Sequence, residues 1–301
     1  MTHHSLPRAQ TPEVVAQRLL RISVAHSFDP VTDIGWEAPL VEGAWFCVPE
    51  RLSLYGTPLW EGMDERQRIE LSRHEFASLA GMGGWLELCL IQMLARYLAS
   101  RDLKDARTHY ALNEMGDETR HVTMFGMLHR KLGCPSYGPP AYLRRAFTAG
   151  SPAFQDLTTF ALALVTEELL DRFQREIAQD ERVQPLIRRI CQIHVVEEAR
   201  HVSFARTELR NAVAHASATR RAFHRHLTGL AASLDVPCLL DPVLYRAVGL
   251  DPAEARRQAR SNPHFRETML WSGEKLIAFL TETGMIGRAQ HLWWRRAGLM
   301  R

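Results

Sequence analysis

Two segments of the chain, Glu114-Met-Gly-Asp-Glu118-Thr-Arg-His121-Val and His194-Val-Val-Glu-Glu198-Ala-Arg-His201-Val, align without a gap at an offset of 80 residues. Each carries a Glu-x-x-His. Glu87 precedes Glu118 by 31 residues and Glu167 precedes Glu198 by 31, so one offset relates four acidic positions, as two copies of one helical hairpin would. On an α-helix, residues three, four and seven apart share a face. Glu118 therefore lies beside His121, and His194, Glu198 and His201 form one stripe. These stripes are otherwise apolar: Tyr110, Ala111, Met124, Phe125 and Leu128 flank the first, and Ile187, Ile190, Cys191, Phe204 and Ala205 the second. The same is true of Glu87, among Ala80, Gly83, Gly84, Leu90, Ile91 and Leu94, and of Glu167, among Phe160, Ala163, Leu164 and Leu170. Glu168 instead shares its face with Asp171, Arg172 and Arg175. Apolar stripes face a core. Four carboxylates buried there cost several kcal/mol each, of order 2–7, unless they are protonated or neutralised. A multivalent cation removes that cost. One Glu from each of two helices plus a Glu-x-x-His from each of two others is the ligand pattern of bundles that hold two iron or manganese ions. Carboxylate and imidazole donors suit those metals, and no thiolate cluster points to zinc fingers or Fe–S centres.

Four helices must position these groups. The three- and four-residue apolar spacing predicts them at roughly 64–100, 104–132, 152–179 and 182–214, the first open to a bend at Gly81, Gly83 and Gly84. Gly133, Pro135, Gly138, Pro139 and Pro140 break the chain after the second, and Pro185 falls in the first turn of the fourth, where proline is tolerated. Residues 30–63, rich in Pro and Gly and carrying Trp36, Trp45 and Trp60, read as an irregular wrap with large apolar anchors. Beyond residue 215, short helical pieces parted by Pro237, Pro242 and Pro252 lead to a longer one near Asn262–Thr283 and a basic, aromatic tail, His291–Arg301. The expected organisation is one all-α domain over 1–301: an N-terminal wrap (1–63), a metal-binding four-helix core (64–214) and flanking helices packed outside it (215–301).

Composition narrows the function. The 301 residues are 46% hydrophobic and 24% charged, which excludes disordered and low-complexity classes. The net charge is only +3, so no global field argues for nucleic acid or membrane surfaces. Five dispersed cysteines, with no Cys-x-x-Cys pair, fit a reduced compartment rather than a disulfide framework. Met1–Arg21 lacks the pattern of a secretory leader, and the most apolar stretch, Leu79–Leu98, is interrupted by Glu87 and Arg96. A soluble cytoplasmic protein is expected.

With Asp117-Glu118-Thr-Arg120-His121 and His194-x-x-x-Glu198-Ala-Arg200-His201 in view, the chain resembles the AurF-like family of ferritin-like di-iron oxygenases, the para-aminobenzoate N-oxygenases. The specific part is the extra imidazole, His194, one turn before the second motif; two Glu-x-x-His motifs alone are shared with ferritins, rubrerythrins and ribonucleotide reductase small subunits. The resemblance is strong over about Glu50–Phe204 and weak in the tail. It implies that Glu87, Glu118, His121, Glu167, His194, Glu198 and His201 ligate two Fe ions, with Mn the alternative, and that O₂ is activated there. Four carboxylates would neutralise two Fe(II) ions. It also implies oxidation of an arylamine toward hydroxylamine, nitroso or nitro product in secondary metabolism, by a homodimer drawing on an external electron donor. Nothing in the chain reads as a nucleotide site: Gly81-Met-Gly83-Gly84 lacks the dinucleotide fingerprint, and His74-Glu75 has Ser at position 78, so the zincin motif fails.

Asp117 with Glu197 and Arg120 with Arg200 repeat the 80-residue offset. Each acid is expected to hydrogen-bond the imidazole of the opposite motif, with the Arg as counter-charge. Glu114 occupies the place corresponding to His194 and is open to three roles: ligand, support for a ligand, or substrate contact. Gly83 and Ala163, one turn before Glu87 and Glu167, either leave room for O₂ or a flat substrate or allow close helix packing. Tyr110 is expected to be a core tyrosine with a satisfied hydroxyl rather than a radical site. Two other functions share the metal pattern: C–H hydroxylation or desaturation of a small or carrier-tethered substrate, and ferroxidase or storage activity. The roughly 150 residues outside the four helices argue against storage, which needs little beyond a bundle.

Overall fold

The computed structural model describes residues 11–301, and 75% of these residues are helical, with no strand among them. The expectation of no secretory leader falls in part on Met1–Gln10, which lie outside the described residues. Four long helices form the bundle: α3 (Glu65–Leu98), α4 (Ala106–Leu132), α6 (Asp156–Gln179) and α7 (Pro185–His215). Their ends are set by local chemistry. Asp64 and Gln67 make a capping box at the start of α3, and Asp105 caps α4. Gly133 ends α4 in the left-handed region at φ 63°, and Pro185 opens α7 at its first turn. α3 pairs with α4 and α6 with α7 as two antiparallel hairpins, and the hairpins meet through α3 on α6 and α4 on α7.

Among the described residues the seven other α-helices are α1 (Pro12–Ala25), α2 (Pro58–Glu61), α5 (Ala141–Gly150), α8 (Ala218–Asp235), α9 (Pro252–Ser261), α10 (Pro263–Glu282) and α11 (His291–Arg296). α8 and α10 lie against α6. Trp294 of the basic tail is fully buried. Burying side chains of this size contributes about 1.5–3 kcal/mol each.

Several expectations need correction. The N-terminal region is not irregular throughout. Thr11 caps α1, Pro12 sits at its first turn, and Val15, Ala16 and Leu19 bury one face against α4 and α7. Residues 30–57 do form an extended, turn-rich wrap, anchored by buried Phe46, Leu52 and Leu54 and by backbone bonds of Trp45 to Arg182 (2.9 Å) and Gln184 (2.8 Å). The breaker-rich stretch after α4 continues into α5, so α6 begins at Asp156 rather than at 152. α3 runs unbroken through Gly81, Gly83 and Gly84. Gly81 serves a close approach instead: a Cβ there would run into the Tyr137 carbonyl oxygen, so only glycine lets the 133–140 loop lie on the helix.

Two stretches, Glu65–Leu98 and Ala218–Val248, are long and apolar enough to cross a membrane by length and composition. In this fold the first places Glu87, a buried acid, among the bundle's other carboxylates.

Candidate metal centre

Each bundle helix delivers its acids to one level of the core. Glu87 comes from α3, Glu114, Glu118 and His121 from α4, Glu167 from α6, and His194, Glu198 and His201 from α7. All are at most 4% exposed. Their donor atoms fall into three overlapping groups, each with its atoms within 4.8 Å of one another: Glu87, His121, His194 and Glu198; Glu118, His121, Glu198 and His201; and Glu114, Glu118 and Glu167. The structure thus brings together all seven residues singled out as ligands and adds Glu114. Glu168 lies outside the group, paired with Arg206 (Nε to Oε2 3.2 Å), whose guanidinium stacks over Phe279.

The two Glu-x-x-His histidines point alike. His121 Nδ1 is 3.0 Å from Glu118 Oε2 and 3.1 Å from Glu198 Oε1; His201 Nδ1 is 2.9 Å from Glu118 Oε1 and 3.4 Å from Glu198 Oε1. Both therefore turn Nδ1 inward. The opposite nitrogen of each faces an acid from the other hairpin: His121 Nε2 lies 3.0 Å from Glu197 Oε2, and His201 Nε2 lies 3.2 Å from Asp117 Oδ2. An N–H donated outward from Nε2 leaves the Nδ1 lone pair free for a metal. The buried Arg200 approaches both acids, Asp117 at 3.4 Å and Glu197 at 3.8 Å, and Arg120 pairs with Asp117. His194 differs. It enters with Nε2, 3.6 Å from both Glu87 and Glu198.

One contact was not foreseen. The backbone N–H of Phe28, in the N-terminal wrap, donates to Glu197 Oε1 (3.3 Å), so the wrap steadies the acid behind His121. Its counterpart Asp117 receives Asn113 Nδ2 instead (3.3 Å). A backbone donor carries no side-chain signature, so sequence alone offered no sign of it. Tyr110 also departs from expectation: its hydroxyl is buried and has no hydrogen-bond partner among the described residues, while its ring packs on Phe204.

Burial, then neighbouring carboxylates, hold Glu87, Glu114 and Glu167 well above the usual carboxylate range. Burial also acts on Glu118 and Glu198, but the imidazoles beside them outweigh it and hold both low. Burial opposes protonation of His121 and His201, yet Glu118 and its neighbours outweigh that and raise both. His194, without such a close partner, is pushed down to about 4 by burial. A protein-only site of this kind must retain protons to stay in a low-dielectric core. Even so, both oxygens of Glu114 and Glu167, Oε2 of Glu87 and of Glu198, and both nitrogens of His194 have no hydrogen-bond partner among the described residues. Buried polar atoms are almost always satisfied, so this concentration of lone pairs around one space fits metal ions.

The comparisons agree with this geometry. The family model described as P-aminobenzoate N-oxygenase AurF matches residues 9–284. The chain belongs to this family. AurF-family proteins are di-iron oxygenases, and the buried Glu and His cluster is compatible with that chemistry. Among curated proteins, uncharacterized proteins of Mycobacterium bovis and Mycobacterium tuberculosis are each 30% identical over 199 residues, 62% of this chain. The chain spans 57% of the length of these relatives.

An apolar chamber of about 200 Å³ adjoins the cluster on the side of Glu87 and His194, which form part of its wall. Gly83 lines it too, one turn before Glu87, with the Phe125 ring 3.7 Å from where a Cβ would be. Ala163 instead lies fully buried in the packed core. Leu227, Leu230 and Leu234 of α8 also line it, so the flanking segment contributes apolar wall beyond the four-helix core.

Proposed function

We propose that the protein is a di-iron N-oxygenase of amines. The observation that carries this reading is the unpartnered Glu and His cluster opening through Glu87 and His194 onto an apolar chamber. Glu87, Glu118, Glu167, Glu198, His121, His194 and His201 would hold two Fe ions, with Glu114 poised beside Glu118 and Glu167 as an eighth carboxylate or imidazole donor. When bound, the metals supply O₂ activation, and an external donor supplies electrons. The chain's own residues do the rest. Asp117 and Glu197 hold the ligand imidazoles in one tautomer, Arg200 balances both acids, and the α8 leucines give the chamber an apolar wall. An apolar wall disfavours water beside the reacting group, which limits side reactions. The chamber also favours an oxygenase over iron storage, which needs a route for ions and not an apolar room. A cytoplasmic homodimer acting in secondary metabolism on an arylamine is the setting that this reading adopts.

The test loads the protein anaerobically with Fe(II), adds O₂ and a panel of aryl and alkyl amines, and follows hydroxylamine, nitroso and nitro products by mass spectrometry with ¹⁸O₂. Incorporation of ¹⁸O on nitrogen supports the reading. Label on carbon alone, or ferric oxide with no organic product, rejects it.

A further inference from the structure

The chamber beside the cluster does not stand alone. A second chamber of about 370 Å³ shares six wall residues with it: Leu79, Leu170, Phe173, Ile177, Val236 and Leu239. Their side chains line both spaces, so the two chambers abut across an apolar boundary. The polarity on either side of that boundary is opposite. No Arg or Lys lines the inner chamber among the described residues; its charged lining consists of Asp235 and the cluster residues Glu87 and His194. Asp235 makes no hydrogen bond or ion pair there, and burial pushes its carboxyl up to about 7. The outer chamber carries Arg51, Arg256, Arg260, Arg266, Arg295 and Arg296.

Two of these six are occupied: Arg51 by Glu176 (2.7 Å) and Arg295 by the Arg301 carbonyl (2.6 Å). The other four, Arg256, Arg260, Arg266 and Arg296, are exposed and reach no carboxylate within 4 Å among the described residues. The single acid in the outer lining, Glu75, is already engaged by the Ser53 N–H (3.1 Å) and hydroxyl. Unpaired guanidiniums converging on a cavity are suited to an anion with several acceptor oxygens, and a phosphate monoester offers more of these than a carboxylate.

We infer that the two chambers together take an elongated substrate with a phosphate-bearing tail among the outer arginines, its apolar shaft passing between the six shared side chains and its uncharged or amine end at Glu87 and His194. This rests on the amine oxygenase reading for the reacting end only. An anion placed wholly in the inner chamber would meet Asp235 and no arginine or lysine, whereas the outer chamber offers several guanidiniums, so the charge pattern favours the outer chamber for the anionic end.

The test is calorimetric binding to the metal-loaded protein without O₂, using four probes with one shaft: octyl phosphate, octanoate, octanol and octylammonium. Octyl phosphate is expected to bind at least about tenfold tighter than octanol, with octanoate between them, and to weaken as salt rises. Arg256→Glu with Arg266→Glu should abolish that preference and leave octanol binding unchanged. Arg18→Glu with Arg66→Glu, which lie outside both chambers, should preserve it. Equal binding of all four probes, tighter binding of octanoate than of octyl phosphate, or tightest binding of octylammonium would each overturn the inference. Binding is read without turnover, so a protein that fails to oxidise amines yet prefers octyl phosphate would reject the oxygenase reading and keep this one.

Discussion

Replacing Glu197 by Gln removes one charge and no volume from behind the metal cluster. In the native site Oε2 stands 3.0 Å from His121 Nε2 while Oε1 accepts the Phe28 N–H at 3.3 Å, with Arg200 3.8 Å away. A glutamine can satisfy only one of the two donors. If its oxygen accepts from His121, its NH₂ faces the Phe28 N–H, donor against donor; if it turns over, His121 faces a donor and loses its outward partner. Either way the imidazole is less firmly held and less basic at Nδ1, and Arg200 loses part of its counter-charge. Loss of such a supporting carboxylate lowers metal affinity about 10–100-fold, roughly 1.4–2.7 kcal/mol. Anaerobic Fe(II) competition against a chromophoric chelator measures this, with helicity by circular dichroism as the folding control. Glu168→Gln is the matched comparison, because Glu168 sits one residue from Glu167 but faces Arg206, and its affinity should change less than about twofold. The reasoning is refuted if Glu197→Gln binds iron as the wild type does, or if Glu168→Gln loses as much.

Chelation of the metals should lower the melting temperature by an amount that depends on iron concentration, since a ligand at about 100 times its Kd stabilises by about 2.7 kcal/mol; a melting temperature indifferent to chelator would contradict the site. Gly81→Ala should destabilise by about 1–3 kcal/mol in urea unfolding, because the clash of its methyl with the Tyr137 carbonyl oxygen outweighs the roughly 1 kcal/mol that alanine gains in a helix. A stabilised variant would mean that the 133–140 loop does not lie there. Glu75 is buried and its carboxyl is pushed up to about 7 by desolvation, against the lowering effect of Ser53. The folded state therefore binds more protons than the unfolded state between about pH 4.5 and 7, and this group's contribution to stability falls as pH rises through that window, by an order of 3 kcal/mol. Glu75→Gln should flatten that part of the melting profile, and an unchanged slope would show that Glu75 titrates normally. Gly83→Val fills the wall beside Glu87 and should leave iron content intact while suppressing amine oxidation; unchanged turnover would separate the inner chamber from the reaction.

The bundle and the cluster were legible because charge marked them. Glu118 and Glu198 sit on stripes whose other members are apolar, and the shared offset of Glu87 with Glu167 turned single helices into paired hairpins before any contact was known. The 80-residue offset that pairs Asp117 with Glu197 is also why the contacts of Asp117 with His201 and of Glu197 with His121 mirror each other. Local signals for α1 were also present, in Thr11, Pro12 and the spacing of Val15, Ala16 and Leu19, but the Pro- and Trp-rich stretch after it dominated the reading of the whole segment. Other features depend on contacts between distant parts of the chain. Gly81 reads as a hinge until the Tyr137 carbonyl is seen against it, and the Phe28 N–H looks like any other amide. Tyr110 was expected to be satisfied as most buried tyrosines are, and its bare hydroxyl is visible only once its surroundings are placed. The two chambers were illegible for the same reason: their walls combine α3, α6 and α8 with arginines from α9, α10 and α11.

The most direct measurement is the iron content of anaerobically loaded protein, with Mössbauer spectra before and after O₂, for the wild type and for His194→Ala with Glu198→Ala. The account predicts about two Fe per wild-type chain, coupled after oxidation, and loss of that centre in the double variant. Binding of a single zinc, or no metal in either protein, would contradict it.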